Sequence, residues 1–251
     1  KGAAIATVFS QAFSVVLCIF YIIKKSQILL PSRKHFILDK ELYKELLGQG
    51  FSMGFMSCIV SAGSVILQYG INGLGYLTIA GHTAARKLYM FFNMPFVAMA
   101  LAISTFVSQN RGAKQYQRIR EAMHIAYLYD IILAIGVSIV LLVFSKDLIQ
   151  FISGSNEQIV LDNGSLYLII VGPFYAILGI LMQTRYALQG LGKKILPLIS
   201  SVIEFVGKII FVLVFIPQFH YMAVIFCEPV IWCVMVIQLV YSFYTNEYIK
   251  K

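Results

Sequence analysis

Long apolar blocks alternate with short polar connections along the whole chain. Each block is about as long as the roughly 20 residues that a helix needs to cross the hydrocarbon core of a bilayer. Membrane barrels instead use short strands in which apolar and polar residues alternate. We therefore predict an all-α, polytopic membrane bundle with seven spans, at about Gly2–Ile23, Gly50–Leu74, Tyr76–Val107, Ile119–Phe144, Leu166–Leu188, Leu196–Ile216 and Tyr221–Tyr244.

The composition supports a chain that lies largely in lipid. Hydrophobic residues make up 59% and charged residues 12% of the sequence, and the mean hydropathy is +0.82. A soluble domain needs far more polar surface, because much of any globule stays in contact with water. The lipid bilayer is thus the first partner that the sequence predicts.

The net charge of +9 has a topological explanation. Basic residues concentrate in the connections after the first, third and fifth spans and at the C-terminus, whereas the alternate connections carry only Lys146. Lys and Arg favour the cytoplasmic side of a membrane. We expect a multi-pass protein of the cell membrane with its N-terminus outside and its C-terminus in the cytoplasm, and no nucleic-acid partner.

The connection between the first two spans contains an amphipathic segment. Apolar residues recur with helical spacing at Leu38, Leu42, Tyr43, Leu46 and Leu47. This stripe predicts a helix that lies in the membrane interface before the second span begins. The chain also opens at Lys1 directly into a membrane segment, and we expect it to be a piece of a longer protein.

Two other classes of membrane protein are disfavoured. A rhodopsin needs a Schiff-base lysine in its last helix, and the last predicted span has none, while the extracellular cysteine pair typical of receptors is also missing. An enzyme needs converging catalytic groups, but the sequence scatters His82, His124 and His220 toward the ends of predicted helices. The four cysteines lie inside apolar blocks without metal-ligand spacing. We expect neither an enzyme nor a resident metal or cofactor.

Several segments resemble one transporter family in the order in which that family carries them. The most specific stretch is Gln109-Asn110-Arg111-Gly112-Ala113, after the small and apolar residues 102–108. Weaker matches are Gly2–Gln11, Leu67–Asn72, Ile79–Ala84 and Ala187–Lys193. Together they resemble the second half of the multidrug and toxic compound extrusion (MATE) family.

The resemblance implies an architecture of twelve helices in two six-helix lobes that are parallel repeats. Residues 1–25 would be the last helix of the first lobe, residues 26–49 a cytoplasmic linker with the interfacial helix, and residues 50–251 the complete C-terminal lobe. The missing N-terminal lobe would be a further partner. The charge pattern agrees, because the first and seventh spans run in the same direction, as a shift of six helices requires.

The resemblance also implies an ion-coupled antiporter that exports drugs, xenobiotics or metabolites by alternating access. The substrates would be small organic, in part cationic, compounds, and H⁺ or Na⁺ would be the transported coupling ion. The alternative is a flippase of related fold for lipid II or lipid-linked oligosaccharides, which is usually rich in cationic cavity residues. Beyond Lys208, the sequence offers only Arg86, Lys87 and Arg185 near helix ends.

Ionisable residues in the spans are the candidates for coupling, because each costs roughly 2.5–3.5 kcal/mol on insertion scales. Glu204 and Lys208 are spaced i, i+4 and predict a pair on one helix face. Glu228 precedes Pro229 and has no partner in its own helix; apolar surroundings favour a neutral carboxyl that exchanges protons near neutral pH. Glu204, Lys208 and Glu228 each also have a purely structural interpretation. For Asp130, a fourth ionisable residue in the spans, the structural interpretation is the favoured one.

Prolines and amides complete the set of candidates. We expect helix breaks at Pro95, Pro173 and Pro229, because transporters build sites at broken helices. The predicted cavity-lining residues are Gln68, Asn72, Asn93, Gln183 and Tyr186. In some branches of the family the helices that match the second and fifth spans carry acidic residues. Here those spans have none in their apolar parts, which puts a Na⁺ site in this lobe in doubt.

Overall fold

A computed structural model describes residues 2–25, 30, 32 and 39–250. All regular structure in these ranges is helical. The helices are α1 (Gly2–Lys25), α2 (Lys40–Asn72), α3 (Tyr76–Gly112), α4 (Tyr116–Ser153), α5 (Gln158–Val171), α6 (Tyr175–Gly190), α7 (Ile195–Ile210), α8 (Ile216–Tyr244) and α9 (Glu247–Lys250). A 3₁₀ turn at Gly172–Phe174 joins α5 to α6, and a π-helical turn at Phe211–Phe215 joins α7 to α8.

The chain forms two compact units, Lys1–Leu46 and Leu47–Lys251. In the first unit, α1 is a 24-residue apolar helix. Its last turn holds Lys24 and Lys25, where cations complement the partial negative charge of a helix C-terminus.

The amphipathic segment at the end of the predicted linker runs directly into the second span. It forms the first turns of α2, which continues from Lys40 to Asn72 without a break. The Asp39 carboxylate caps this helix and accepts hydrogen bonds from the backbone N–H groups of Glu41 and Leu42 at 2.9 and 3.1 Å. Apart from residues 30 and 32, the linker at 26–38 lies outside the described residues.

Within the described residues, six helical stretches are long and apolar enough to cross a membrane, and the last of them, Ile195–Tyr244, is 50 residues long. Two spans lie within it, because the backbone of His220 leaves helical geometry at φ 49° and ψ −128°. Beyond this point the chain runs back along α7: the amide of Gln238 reaches the Leu196 carbonyl, and Lys208 faces Glu228. The prediction of an all-α bundle with seven apolar spans is confirmed.

Contacts between helices fix their relative directions in the second unit. The α3 helix runs parallel to the α5–α6 stretch, since Gly81 lies against Val160 and Ser104 against Gly190. By contrast, α4 runs antiparallel to this stretch, since Ser145 shares a hydrogen bond with Ser165 while Asp130 accepts one from Gln183. Consecutive spans therefore alternate in direction, as the predicted connections require.

The core of the second unit lies between α3, α4, α5–α6 and α8. Its largest fully buried side chains include Phe96, Met123, Tyr167, Tyr175 and Phe243. On α4, by contrast, Ile125, Leu128, Ile132, Ile135 and Ile139 are exposed. Such an apolar outer face is stable when lipid covers it.

The predicted helix breaks are found at one proline and not at the other two. Pro173 lies in the 3₁₀ turn between α5 and α6. Pro95 lies inside α3 and Pro229 inside α8, and both helices continue through their prolines. The expectation of a break at Pro95 and Pro229 was wrong, because neighbouring helices and local adjustment let a membrane helix tolerate the lost hydrogen bond.

Candidate functional site

Glu204 and Lys208 form the ion pair that their spacing on α7 predicts. Lys208 Nζ lies 2.8 Å from Glu204 Oε1, and the lysine side chain is only 3% exposed. The ammonium group also approaches the Ser64 hydroxyl of α2 at 3.5 Å. A buried charge of this kind is tolerated only when it is paired and hydrogen-bonded.

Glu228 on α8 has a cation partner on another helix. Arg86 on α3 donates from Nη1 to Glu228 Oε2 at 2.6 Å and to the Tyr167 hydroxyl at 3.2 Å. The hydroxyl of Tyr167 in turn lies 3.4 Å from the same carboxylate oxygen. The Arg86 guanidinium also lies 4.5 Å from the centre of the Tyr89 ring, which adds a cation–π contact.

Longer contacts join these two pairs into one chain of alternating charge. Lys208 Nζ lies 4.0 Å from Glu228 Oε1, and Arg185 Nη2 lies 3.9 Å from Glu204 Oε2. The order of charges is Arg86, Glu228, Lys208, Glu204, Arg185, and we call this series the ion-pair chain. It connects α3, α8, α7 and α6, so a change in charge at one residue acts on four helices.

Two cavities lie beside the ion-pair chain. All five members of the chain line the first, of about 190 Å³, together with Ser64, Asn93, Trp232 and apolar side chains. The second, of about 330 Å³, lies between α2 and α6 and is lined by Met53, Met56, Ser57, Val60, Ser61, Met182, Arg185, Tyr186 and Gln189. We call them the ion-pair cavity and the α2–α6 cavity. Val60, Met182 and Arg185 line both.

The predicted cavity residues do not gather in one place. Asn93 lines the ion-pair cavity, where its buried carbonyl oxygen has no hydrogen-bond partner among the described residues, and Tyr186 lines the α2–α6 cavity. Gln68 and Asn72 hydrogen-bond to each other at 2.8 Å on an exposed part of α2. Asn72 also lines a separate cavity near the end of that helix.

Gln183 belongs to a different polar contact. Its side chain is fully buried and donates to Asp130 Oδ1 at 3.2 Å. Gly179 lies so close that a Cβ there would be 2.8 Å from the Asp130 Cβ. Asp130 therefore lies at a tight contact between α4 and α6, which agrees with the structural role expected for it.

From the sequence, Arg86 and Arg185 were candidates only for the cationic cavity of a flippase and not partners of Glu204 and Glu228. Both had been assigned to helix ends, yet Arg86 lies ten residues into α3, which at 1.5 Å per residue is about 15 Å from its start. Arg185 lies five residues before the end of α6 and only 8% of it is exposed. The depth of Arg86 within its predicted span was an available signal, whereas Arg185 lies only three residues before the predicted end of its span at Leu188.

Known proteins with similar sequences are transporters. The family model described as MatE matches residues 53–214. The chain is 23% identical to "Probable multidrug resistance protein YoeA" and 22% identical to "Probable multidrug resistance protein YpnP", both of Bacillus subtilis (strain 168). These matches cover 100% and 81% of the chain but 55% and 45% of the relatives, so the chain spans about half their length.

The fold has a solved counterpart as well. The structure of a multidrug resistance MATE family transporter of the MOP superfamily in an outward-facing conformation superposes with a TM-score of 0.87 at 19% identity. The match covers 100% of this chain and 57% of that one. The family model covers well over half of the chain. The chain belongs to the MatE family of multi-pass membrane transporters.

Proposed function

We propose that the chain forms one half of an ion-coupled antiporter that exports drugs or other small organic compounds across the cell membrane by alternating access. The other half would be a first lobe, as in the multidrug resistance relatives, which are about twice as long. In such transporters two lobes rock around a site between them. The bilayer, the first lobe and the organic substrate are the proposed partners.

The observation that carries the coupling proposal is the position of Lys208 between two carboxylates. Its ammonium nitrogen lies 2.8 Å from Glu204 and 4.0 Å from Glu228. A proton taken up by Glu204 would weaken the shorter pair and leave Lys208 to the Glu228 carboxylate. The two carboxylates lie on neighbouring helices, α7 and α8, so the proton would change the electrostatic attraction between those helices.

The groups around the two carboxylates determine how each would respond to protonation. Glu228 faces Arg86, Lys208 and the hydroxyl of Tyr167, whereas Glu204 faces Lys208 and, at a longer distance, Arg185. The closest cation contact of Glu228 is 2.6 Å and that of Glu204 is 2.8 Å. We propose H⁺ as the coupling ion, with Glu204 and Glu228 as its candidate acceptors. A resident cofactor has no part in the proposal.

Transport by the chain together with its first lobe tests the coupling. In proteoliposomes with an imposed pH gradient, we expect E204Q and E228Q to reduce dye export about tenfold or more, in line with the loss of a required proton acceptor. Replacing Na⁺ with K⁺ on both sides should change nothing. The measurement is the initial rate of efflux of a fluorescent dye between pH 5.5 and 8.5.

Glu121 offers a matched control. It lies on an exposed part of α4, where Gln117 donates a hydrogen bond to it at 3.0 Å, so E121Q removes a carboxylate outside the ion-pair chain. Its pH profile should match that of the unmodified protein. An unchanged rate and pH profile in both E204Q and E228Q would remove the ion-pair chain from the mechanism, and a requirement for Na⁺ would replace H⁺ as the coupling ion.

A further inference from the structure

The ion-pair chain holds more positive than negative groups. Its three cations, Arg86, Lys208 and Arg185, face two carboxylates, Glu228 and Glu204. One positive charge is left without a matching negative group, and all five side chains line one small cavity. An unmatched charge in a low-dielectric interior is strongly unfavourable, and an anion that enters the cavity would relieve it.

The unmatched charge is located at Arg185. Its Nε donates to Ser200 Oγ at 3.1 Å, while Nη2 is buried and has no hydrogen-bond partner among the described residues. The nearest carboxylate oxygen, on Glu204, is 3.9 Å away, and Glu204 already pairs with Lys208 at 2.8 Å. A guanidinium presents a planar fork of N–H donors that suits a carboxylate or phosphate, and here most of that fork is unused.

Arg185 is also the point where the two cavities meet. It lines both the ion-pair cavity and the α2–α6 cavity, together with Val60 and Met182. The α2–α6 cavity adds Met53 and Met56 as an apolar wall, and the hydroxyls of Ser57 and Ser61. Methionine side chains adapt to apolar bodies of different shape. The combination fits a molecule with an apolar body and a single negative group.

We propose that Arg185 binds the anionic group of an amphiphilic organic substrate, and that the α2–α6 cavity holds its apolar body. This assigns a substrate class, organic monoanions, and rests on the proposed exporter function. Binding would draw the guanidinium away from Glu204, so substrate binding and the charge state of that carboxylate would be linked. The binding step itself needs no ion gradient and no transport.

Binding of simple probes to the full chain in lipid nanodiscs tests the proposal. Trp232 is the only tryptophan in the sequence and lines the ion-pair cavity, so its fluorescence reports directly on the site. We expect saturable binding of hexanoate and much weaker binding of hexylammonium. R185Q should weaken hexanoate binding by about tenfold or more without changing the response to hexanol, which shares the apolar tail but has no charge.

Three further variants keep the test decisive. R185K keeps the charge without the planar fork and should give an intermediate affinity. The double variant R185Q/E204Q removes both charges, which lessens the risk of misfolding, and should also lose hexanoate binding. K87Q removes an exposed cation one residue from Arg86 and should bind hexanoate as the unmodified chain does.

The proposal would be overturned by equal hexanoate affinity in the unmodified chain and in R185Q, by the absence of saturable hexanoate binding, or by hexylammonium binding at least as tight. Because no gradient is applied, these results are independent of proton-driven export. Hexanoate binding that depends on Arg185 would stand even if E204Q and E228Q left export unchanged. Loss of export in those variants would not rescue a failed binding test.

Discussion

Lys208 is the residue on which the balance of the ion-pair chain depends. It is almost fully buried, and it is the one cation that lies within 4.0 Å of both carboxylates of the chain. Glu204 and Lys208 would together add about 5–7 kcal/mol to insertion of their helix if neither were paired. Their contact, and the Ser64 hydroxyl beside it, offset part of that cost. Removing one partner of the pair should therefore lower the stability of the protein more than removing both partners.

We predict that K208M destabilises the protein by about 3–5 kcal/mol, because it removes the close cation partner of Glu204 and leaves that largely buried carboxylate only Arg185, at 3.9 Å, as a cation among the described residues. The double variant E204Q/K208M should lose less than the sum of the two single variants, with a coupling energy of about 0.5–3 kcal/mol. Unfolding in mixed micelles, followed by circular dichroism, measures all three. Strict additivity would contradict the pairing.

Lys146 provides the matched control for this cycle. It forms an ion pair with Asp162 at the same distance, 2.8 Å, but both side chains are more than half exposed. Water screens such a pair, and it adds little to stability. K146M should therefore leave the unfolding curve nearly unchanged, and a loss as large as that of K208M would show that burial is not the cause.

The sequence predicted a side-chain pair correctly where both partners lie one turn apart in the same helix. The pairing of Glu204 with Lys208 follows from i, i+4 spacing within one helix. The partner of Glu228 lies on α3, 142 positions away in the sequence, and depends on the register and direction of two helices. Hydropathy and spacing contain no information on that register, which is why Arg86 and Arg185 were missed.

Close contacts at glycine set the spacing between helices in the bundle. A Cβ on Gly81 would lie 2.6 Å from the Val160 carbonyl oxygen, so α3 and α5 touch through their backbones there. Small residues at such points allow membrane helices to pack without a hydrophobic driving force. At Gly136, in the middle of α4, an added Cβ would have no atom of the described residues within 4 Å beyond its own helix backbone and chain neighbours. Substitutions at these two glycines therefore distinguish the effect of helix packing from the effect of helix propensity.

We predict that G81A destabilises the protein by about 1–3 kcal/mol, because backbone atoms that cannot rotate away must shift to admit the methyl group. The control G136A should leave stability unchanged or raise it by less than about 1 kcal/mol, since alanine favours helix more than glycine does. Thermal unfolding of both variants in the same detergent compares them. Equal effects of the two substitutions would mean that the α3–α5 contact is loose.

At the level of elements, hydropathy predicted the seven spans but not their ends. The α4 helix extends over Tyr116–Ser153, well beyond the predicted apolar block Ile119–Phe144, because polar residues outside the lipid continue the helix. The same effect joins the amphipathic segment at Lys40 to α2. Of the three predicted break points, only Pro173 coincides with a change of helix type, since whether a proline breaks a helix depends on neighbours that the local sequence does not name.

At the scale of the whole molecule, we expect the basic connections to set the orientation in the membrane. Arg111, Lys114 and Arg118 lie at the end where α3 meets α4, whereas the connection from α4 to α5 at the opposite end carries no basic residue in 154–157. Lysine and arginine favour the cytoplasmic side. We predict that, in a variant without native cysteines, S155C reacts with a membrane-impermeant maleimide on intact cells and K114C reacts only after lysis. The reverse pattern would invert the topology.

Without a first lobe, the chain should be inactive in transport. The chain spans about half the length of its curated relatives. Alternating access needs a second lobe that moves relative to the ion-pair chain. In proteoliposomes, we expect the chain alone to give no proton-driven dye efflux above that of empty liposomes. Reconstitution with its first lobe should restore efflux, while Trp232 fluorescence should report hexanoate binding in both preparations. Efflux by the chain alone, abolished by E228Q, would show that one lobe suffices, and the two-lobe mechanism would have to be replaced by an assembly of copies of this chain.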